Sequence, residues 1–103
     1  MPWNLDNSVD QILNEYRARQ HWERRDYKAA LGYAAAAAEK ALVKDDAVGY
    51  WRMSLLLAEC QLELGRMQDF AASARELAEH PSIQHDRRML ARAKALYSRA
   101  LGG

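Results

Sequence analysis

The side chains of this sequence best suited to catalysis or metal binding are three histidines and one cysteine. No HExxH pair, CxxC pair, glycine-rich phosphate loop or nucleophile elbow accompanies them. His80, His85 and Asp86 lie near Pro81 and could together coordinate a metal, but a loop histidine beside a helix cap is ordinarily solvated. We therefore predict a protein that is not an enzyme and uses no metal or cofactor.

Arginine and glutamate side chains recur at an interval of about 40 residues, which points to recognition of a carboxylate. If helices stack at this interval, Arg52 and Arg92 lie at equivalent levels and can fork onto a peptide C-terminus or an acidic segment. The alternative is solvated side chains or surface ion pairs worth under about 1 kcal/mol each. One predicted row holds Arg19, Glu59 and Arg99, another holds Arg52 and Arg92, and Trp22 lies near the turn end; these six are the candidate partner-binding residues.

Apolar residues at helical spacing predict five helices that would position these side chains, and no stretch alternates with a period of two. The third helix is apolar on more than one side, so it should be a middle layer. The predicted inward residues are Val9, Ile12, Leu13, Tyr16 and Ala18; Tyr27, Ala30, Leu31, Ala34, Ala38, Ala41 and Leu42; Trp51, Leu55, Ala58 and Leu62; Met67, Phe70, Ala71, Ala74, Leu77 and Ala78; and Met89, Leu90, Ala93, Leu96, Tyr97 and Ala100.

Capping residues predict where the helices begin. Ser8 with Gln11 forms a capping box that would open helix 1 and leave residues 1–7 as a tail. Asp26 is a favourable N-cap for helix 2. The remaining predicted caps are Asp45 and Asp46 for helix 3, and Asp86 for helix 5.

A glycine and a proline predict where helices 3 and 4 end. Gly65 supplies a left-handed residue, and Pro81 prevents the fourth helix from continuing. The predicted elements are a hairpin at about residues 8–44, a hairpin at about 45–81 and a capping helix at about 85–101, within one domain, 1–103.

The two hairpins repeat each other at this same shift along the sequence. Ala18 falls on Ala58, and continuing the shift places Arg52 on Arg92. The last helix therefore matches the first helix of an unfinished third unit, and stacking of such units buries a shared core beneath a terminal cap.

The stretches ERRDYKAAL and LAECQLELGRMQDFA resemble tetratricopeptide repeats over roughly residues 9–81. The period is about 40 rather than the usual roughly 34 residues, Arg25 replaces the usual glycine, and Phe70 replaces the usual alanine. The residues that match the family's small, turn and terminating positions are Ala18 and Ala58, Asp26 with Tyr27, and Gly65 with Pro81.

This resemblance implies an all-α fold of two antiparallel helical hairpins plus a C-terminal capping helix, a fragment of a right-handed α-solenoid. It also implies an adaptor, chaperone-like or regulatory protein that binds a peptide or partner protein in a groove lined by the first helix of each hairpin.

Charge is uneven along the chain although the net charge is only +1. Residues 45–81 carry seven acids and three bases, whereas residues 82–103 carry five bases and one acid. These segments can dock within one chain or between chains. Because two full units fall short of the about three that usually suffice for a repeat fold, we expect a homodimer.

Nucleic-acid binding is the alternative function, since clustered bases on the last helix could contact phosphates. The acidic second hairpin and the lack of helix-turn-helix spacing argue against it. The basic strip consists of Arg87, Arg88, Arg92, Lys94 and Arg99, with Tyr97 nearby.

Hydropathy predicts a cytoplasmic protein that does not bind membranes. No apolar run approaches the roughly 20 residues that span a bilayer, and the start MPWNLDNSVD has neither a basic nor an apolar region to direct export. Cys60, the one cysteine, cannot form an intramolecular disulfide and is expected to be a small buried hydrophobe.

Overall fold

The computed structural model describes the backbone of residues 3–102 and the side chains from residue 9 onward, and this part of the chain contains five α-helices and no strand. The prediction of an all-α fold built from antiparallel helical hairpins is confirmed. A short 3₁₀-helix, Pro81–Ile83, precedes the last helix. The α-helices are α1 (Trp3–Glu23), α2 (Tyr27–Val43), α3 (Ala47–Glu63), α4 (Met67–Glu79) and α5 (Arg87–Gly102).

The helices form a slab two layers thick, measuring 48 × 33 × 18 Å. Each helix packs mainly on its neighbours in the sequence, and a helix with its side chains is about 10 Å across. An ion pair between Arg52 and Glu15 joins α3 to α1, and a hydrogen bond from Trp51 Nε1 to the Met89 carbonyl joins α3 to α5. The odd-numbered helices therefore share one layer, with α2 and α4 in the other.

The three turns that follow α1, α2 and α3 have the same geometry. In the first, the N–H of Asp26 donates to the His21 carbonyl and the N–H of Arg25 donates to the Trp22 carbonyl. These paired bonds define a Schellman motif, and the next two turns repeat them. The left-handed residues, which are equally spaced along the chain, are Arg25 (φ 63°), Asp45 (φ 57°) and Gly65 (φ 73°).

Aspartates cap the helices that follow these turns. Asp26 accepts the N–H of Ala29, and Asp46 accepts the N–H of Gly49 at 2.9 Å. Asp86 accepts the N–H of Met89 at 3.0 Å. The caps predicted at Asp26, Asp46 and Asp86 are confirmed, whereas Asp45 is the left-handed turn residue rather than a second cap.

Helix α1 begins earlier than predicted. Its backbone is helical from Trp3, so Ser8 lies inside the helix and the capping box with Gln11 is wrong, as is the predicted tail over the described residues 3–7. No glycine or proline interrupts residues 3–23, so nothing in the sequence stops the helix from extending through this stretch.

The orientation of α1 also differs from the prediction. Ala18 is fully buried and Gln11 is only 4% exposed, whereas the predicted inward residues Val9, Ile12, Leu13 and Tyr16 are 45, 65, 40 and 59% exposed. The cause is the middle of the α2 surface, which offers small side chains to α1, while its two tyrosines Tyr27 and Tyr33 meet the C-terminal half of α1. Ala18 shares its core cluster with the buried alanines Ala34, Ala37, Ala38 and Ala41 of α2.

The hydrophobic core is centred on α3, as the prediction of a middle layer requires. Met53 packs in one cluster with Leu77 and Ile83, and Phe70 packs in a second with Leu96. Cys60 is fully buried, as expected, and burial raises the pKa of its thiol to about 11. Two further predictions of inward residues are wrong, because Leu42 and Met67 lie at helix ends and are 43 and 46% exposed.

Within residues 3–102, no helix combines the length and the apolar character that crossing a bilayer requires.

Candidate functional site

The layer formed by α1, α3 and α5 carries two clefts, which together we call the odd-helix face. The first lies between α1 and α3, and the second lies between α3 and α5, so α3 contributes to both. The first cleft is lined by Ile12, Glu15, Tyr16, Arg19 and Arg52. The second is lined by Leu55, Glu59, Arg92, Ala95, Leu96 and Arg99.

Five of the six predicted partner-binding residues lie in these clefts, in a different grouping from the predicted rows. Arg19 meets Arg52 in the first cleft, and Glu59 meets Arg92 and Arg99 in the second. Arg52 and Arg92 therefore face different clefts.

Trp22, the sixth predicted residue, lines neither cleft. Its indole packs edge-on against the Tyr27 ring, with centroids 5.1 Å apart. Trp22 therefore supports the turn between α1 and α2.

Arg52 already has a partner within the chain. Its Nη2 lies 3.5 Å from Oε1 of Glu15, whose side chain is only 16% exposed. Oε2 of Glu15 also accepts a hydrogen bond from Gln11 Nε2 at 3.2 Å. Because a largely buried carboxylate needs such a partner, Arg52 is held on Glu15 and is less available to an external carboxylate than Arg92 or Arg99.

A polar network fixes the spacing of α1 and α3 beneath the first cleft. Gln11 Nε2 donates to Oδ2 of Asp46 at 2.8 Å, while Oδ1 accepts the N–H of Gly49. The Gly49 hydrogen bond, then the one from Gln11, holds the pKa of Asp46 below its ordinary value despite partial burial. A side chain at position 49 would displace this network, since a Cβ built there lies within 2.7 Å of both Asp46 Oδ2 and Gln11 Nε2.

An aromatic surface beside the second cleft was not predicted. Trp51 lies with Arg88, Ala91 and Arg92 around an open depression, and its indole N–H bonds to the Met89 carbonyl on α5. The sequence periodicity predicts a core position for Trp51, because Trp51 and Leu55 are four residues apart and lie on the same side of α3. Its position directly before Arg52, at the edge of the apolar stripe, is the signal that could have revealed its partial exposure.

The odd-helix face is positively charged. Five arginines line its clefts and the adjoining depression, against two glutamates, of which Glu15 is engaged by Arg52. Apolar side chains alternate with these charges. The arginines are Arg19, Arg52, Arg88, Arg92 and Arg99.

The histidines and the cysteine form no reactive group. His80 packs on the Tyr50 ring with centroids 4.4 Å apart, and Asp86 accepts N–H groups of α5. Over the part of the chain that the structure describes, no three His, Cys, Asp or Glu side chains are placed to hold a metal ion.

Searches against protein-family models, curated proteins and solved structures found no match to this chain.

Proposed function

We propose that this protein is an interaction module that binds an acidic peptide segment or C-terminus of a partner protein on its odd-helix face. The observation that carries the proposal is the convergence of Arg92 and Arg99 with Leu55 and Leu96 in the second cleft. An adaptor, chaperone-like or regulatory role in the cytoplasm fits such a module.

The second cleft favours a carboxylate ligand, because its two arginines outnumber its one carboxylate, Glu59. A guanidinium presents a planar pair of donors that matches a carboxylate, and such charge-assisted bonds are stronger than neutral ones. Arg92 and Arg99 are seven residues apart on α5, a rise of about 10 Å along its axis. This spacing suits two acidic groups of one extended peptide, with apolar side chains resting on Leu55 and Trp51.

The resemblance to tetratricopeptide repeats also supports the odd-helix face as the peptide-binding surface. That family binds peptides along the surface of the first helices of its hairpins, which here correspond to α1, α3 and α5. The layer arrangement agrees with this use, because the odd-numbered helices lie side by side and expose both clefts.

Peptide binding is tested by fluorescence anisotropy with two labelled octapeptide pools. One pool carries alternating Asp or Glu and a free C-terminus, and the other carries Asn or Gln and a C-terminal amide. We expect only the acidic pool to bind, and R92A/R99A to weaken binding at least about tenfold, since hydrogen bonds to charged groups contribute about 1.5–3 kcal/mol each.

The matched control is K28A/R75A, which removes two cations from α2 and α4 in the other layer. It should change the affinity less than about twofold, because only screened long-range charge is lost. Equal weakening by both double variants, or equal binding of the amidated pool, would refute the assignment.

The alternative function, nucleic-acid binding, depends on the five basic side chains of α5. A second variant distinguishes it from peptide binding. Arg87 and Lys94 are exposed and line neither cleft, so R87A/K94A should leave peptide affinity unchanged. If a single-stranded RNA 20-mer binds instead, with an affinity that falls steeply with salt and is lost in R87A/K94A, the function is nucleic-acid binding.

A further inference from the structure

The outward side of α1 carries a continuous apolar stripe, which we call the α1 stripe. Val9, Ile12, Leu13 and Tyr16 follow one another at helical spacing, and each is 40% exposed or more. In contrast, α5 at the other end of the slab buries Met89, Ala93 and Leu96 and turns charged side chains outward.

The α1 stripe lies opposite the packed side of its helix. Tyr16 is 59% exposed and Ala18 is fully buried, and two residues of α-helix separate them by about 200°. A small rotation of α1 therefore cannot bury the stripe. Among the described residues α3 reaches only one edge of this side, where its Arg52 lines the first cleft with Ile12 and Tyr16. In contrast, α2, α3 and α4 each pack between two sequence neighbours.

We propose that the α1 stripe is the contact between two copies of this chain, related by a two-fold axis, with their α1 helices antiparallel. The opposite end of the slab is an unsuitable partner, since a head-to-tail contact would bury Arg87, Arg88 and Lys94 of α5 against apolar side chains. Because the stripe is apolar, it can pack against the same stripe of a second copy. Such a two-fold contact uses the stripe of both copies, so assembly stops at the dimer.

Charges beside the stripe favour the antiparallel arrangement. Asp10 and Arg17 are seven residues apart and so lie along one edge of the stripe. In an antiparallel pair centred on the middle of the stripe, each copy's Arg17 approaches the other copy's Asp10. Asp10 also lies 3.7 Å from Lys40 of α2, but its side chain is 58% exposed and can accept a second cation. A parallel pairing would instead leave each Arg17 about 10 Å along the helix axis from the other copy's Asp10.

The area of the stripe predicts a weak dimer. Its four side chains expose on the order of 400 Å² of apolar surface per copy, within the range of functional patches on monomers. A stable interface buries about 800 Å² per partner. The stripe and its polar edges together supply only part of that area. We therefore expect a reversible dimer with a dissociation constant in the micromolar range.

The dimer does not depend on peptide binding, and the variants can keep the two apart. Ile12 and Tyr16 also line the first cleft, whereas Val9 and Leu13 do not. V9E/L13E therefore disrupts the stripe without touching the arginine-lined second cleft. The matched control is V43E/V48E, which places the same charges at two exposed valines at the turn between α2 and α3.

Sedimentation equilibrium over a concentration series from the low to the high micromolar range tests the proposal, with far-UV circular dichroism to confirm folding. We expect wild type and V43E/V48E to approach twice 11.8 kDa, and V9E/L13E to remain monomeric. R17D should raise the dissociation constant about threefold to tenfold, and D10R/R17D should restore it.

Three outcomes would overturn the proposal. These are a wild-type monomer at every concentration, a mass that keeps rising beyond the dimer, or a dimer lost in V43E/V48E but kept in V9E/L13E. If V9E/L13E proves unfolded, the R17D and D10R/R17D pair decides. Both changes lie at exposed positions and remove only surface contacts with α2, namely the Asp10–Lys40 ion pair and the Arg17 guanidinium 5.8 Å from the Tyr33 ring centroid.

Discussion

The three left-handed turn residues are chemically different although their backbones are alike. Arg25, Asp45 and Gly65 all have φ between 57° and 73°. A residue with a Cβ is strained in this region, while glycine is not, and aspartate tolerates it better than arginine. Equivalent turns therefore differ in local strain.

Glycine at the first two turns should stabilise the protein. We expect R25G to raise the free energy of unfolding by about 0.5–1 kcal/mol and D45G by less. Urea denaturation measures both. A loss of stability in R25G would show that contacts of the Arg25 side chain stabilise the fold by more than the strain of its left-handed backbone destabilises it.

Replacing Gly32 and Gly65 by alanine should change the stability of the protein in opposite directions. Nothing lies within 4 Å of a Cβ built on Gly32 or on Gly65, so only the backbone matters. We expect G32A, within α2, to stabilise by about 0.5–1 kcal/mol and G65A, at positive φ, to destabilise by about 1 kcal/mol. The same sign for both changes would contradict the assignment of the turn.

Asp46 makes stability sensitive to acid. Its pKa is lowered in the folded protein, chiefly by the Gly49 N–H, so its carboxylate stabilises the fold at neutral pH. This stabilisation is present above the ordinary pKa of 3.8 and is lost as the pH falls through the lower folded value. Urea denaturation at pH 7 and pH 3 should show a smaller acid loss in D46N than in wild type.

The D46N variant keeps the cap, because asparagine is also a favourable N-cap. It removes the charge and also replaces one carboxylate oxygen, such as the acceptor for Gln11 Nε2, with an amide NH2 group. Q11M removes one donor to Asp46 and should give an intermediate acid loss. Equal acid losses in wild type and D46N would exclude Asp46 as a source of the effect.

At the scale of the helix, the small residues of α2 set how closely its neighbours approach. Ala37 is fully buried in the core cluster that also contains Ala18 of α1 and Met53 of α3, whereas Ala72 on α4 is exposed. We expect A37L to destabilise by about 1–3 kcal/mol or more through overpacking, and A72L to change stability by less than about 0.5 kcal/mol. Thermal unfolding followed by circular dichroism compares the two, and equal midpoints would contradict this packing.

The helix boundaries from Asp26 to Asp86 were predictable because local chemistry determines them. Aspartate caps, a left-handed residue and a proline act within a few residues of where they stand. The face of α1 was not predictable in this way. Its apolar stripe has inward periodicity, but Ala18 packs with the alanines of α2 and Gln11 bonds to Asp46 at the start of α3. Both partners belong to other elements.

The candidate site was predictable only in part for the same reason. The repeat interval placed arginines on neighbouring helices, and five of the six candidates line the two clefts. The interval could not show that Glu15, one turn from Arg19, would engage Arg52. Ion pairs between helices depend on their relative rotation, which residue spacing does not specify.

At the scale of the whole molecule, the order of the helices in space follows their order in the sequence. The last four α-helices start at evenly spaced positions, Tyr27, Ala47, Met67 and Arg87, and each helix packs chiefly on the preceding and following ones. The loops that must close during folding are therefore short. Closure entropy grows with loop length, and folding rates fall as contacting residues become more distant along the chain. We expect rapid folding by helix-by-helix growth, in which each new helix docks on a surface that its predecessor has already formed.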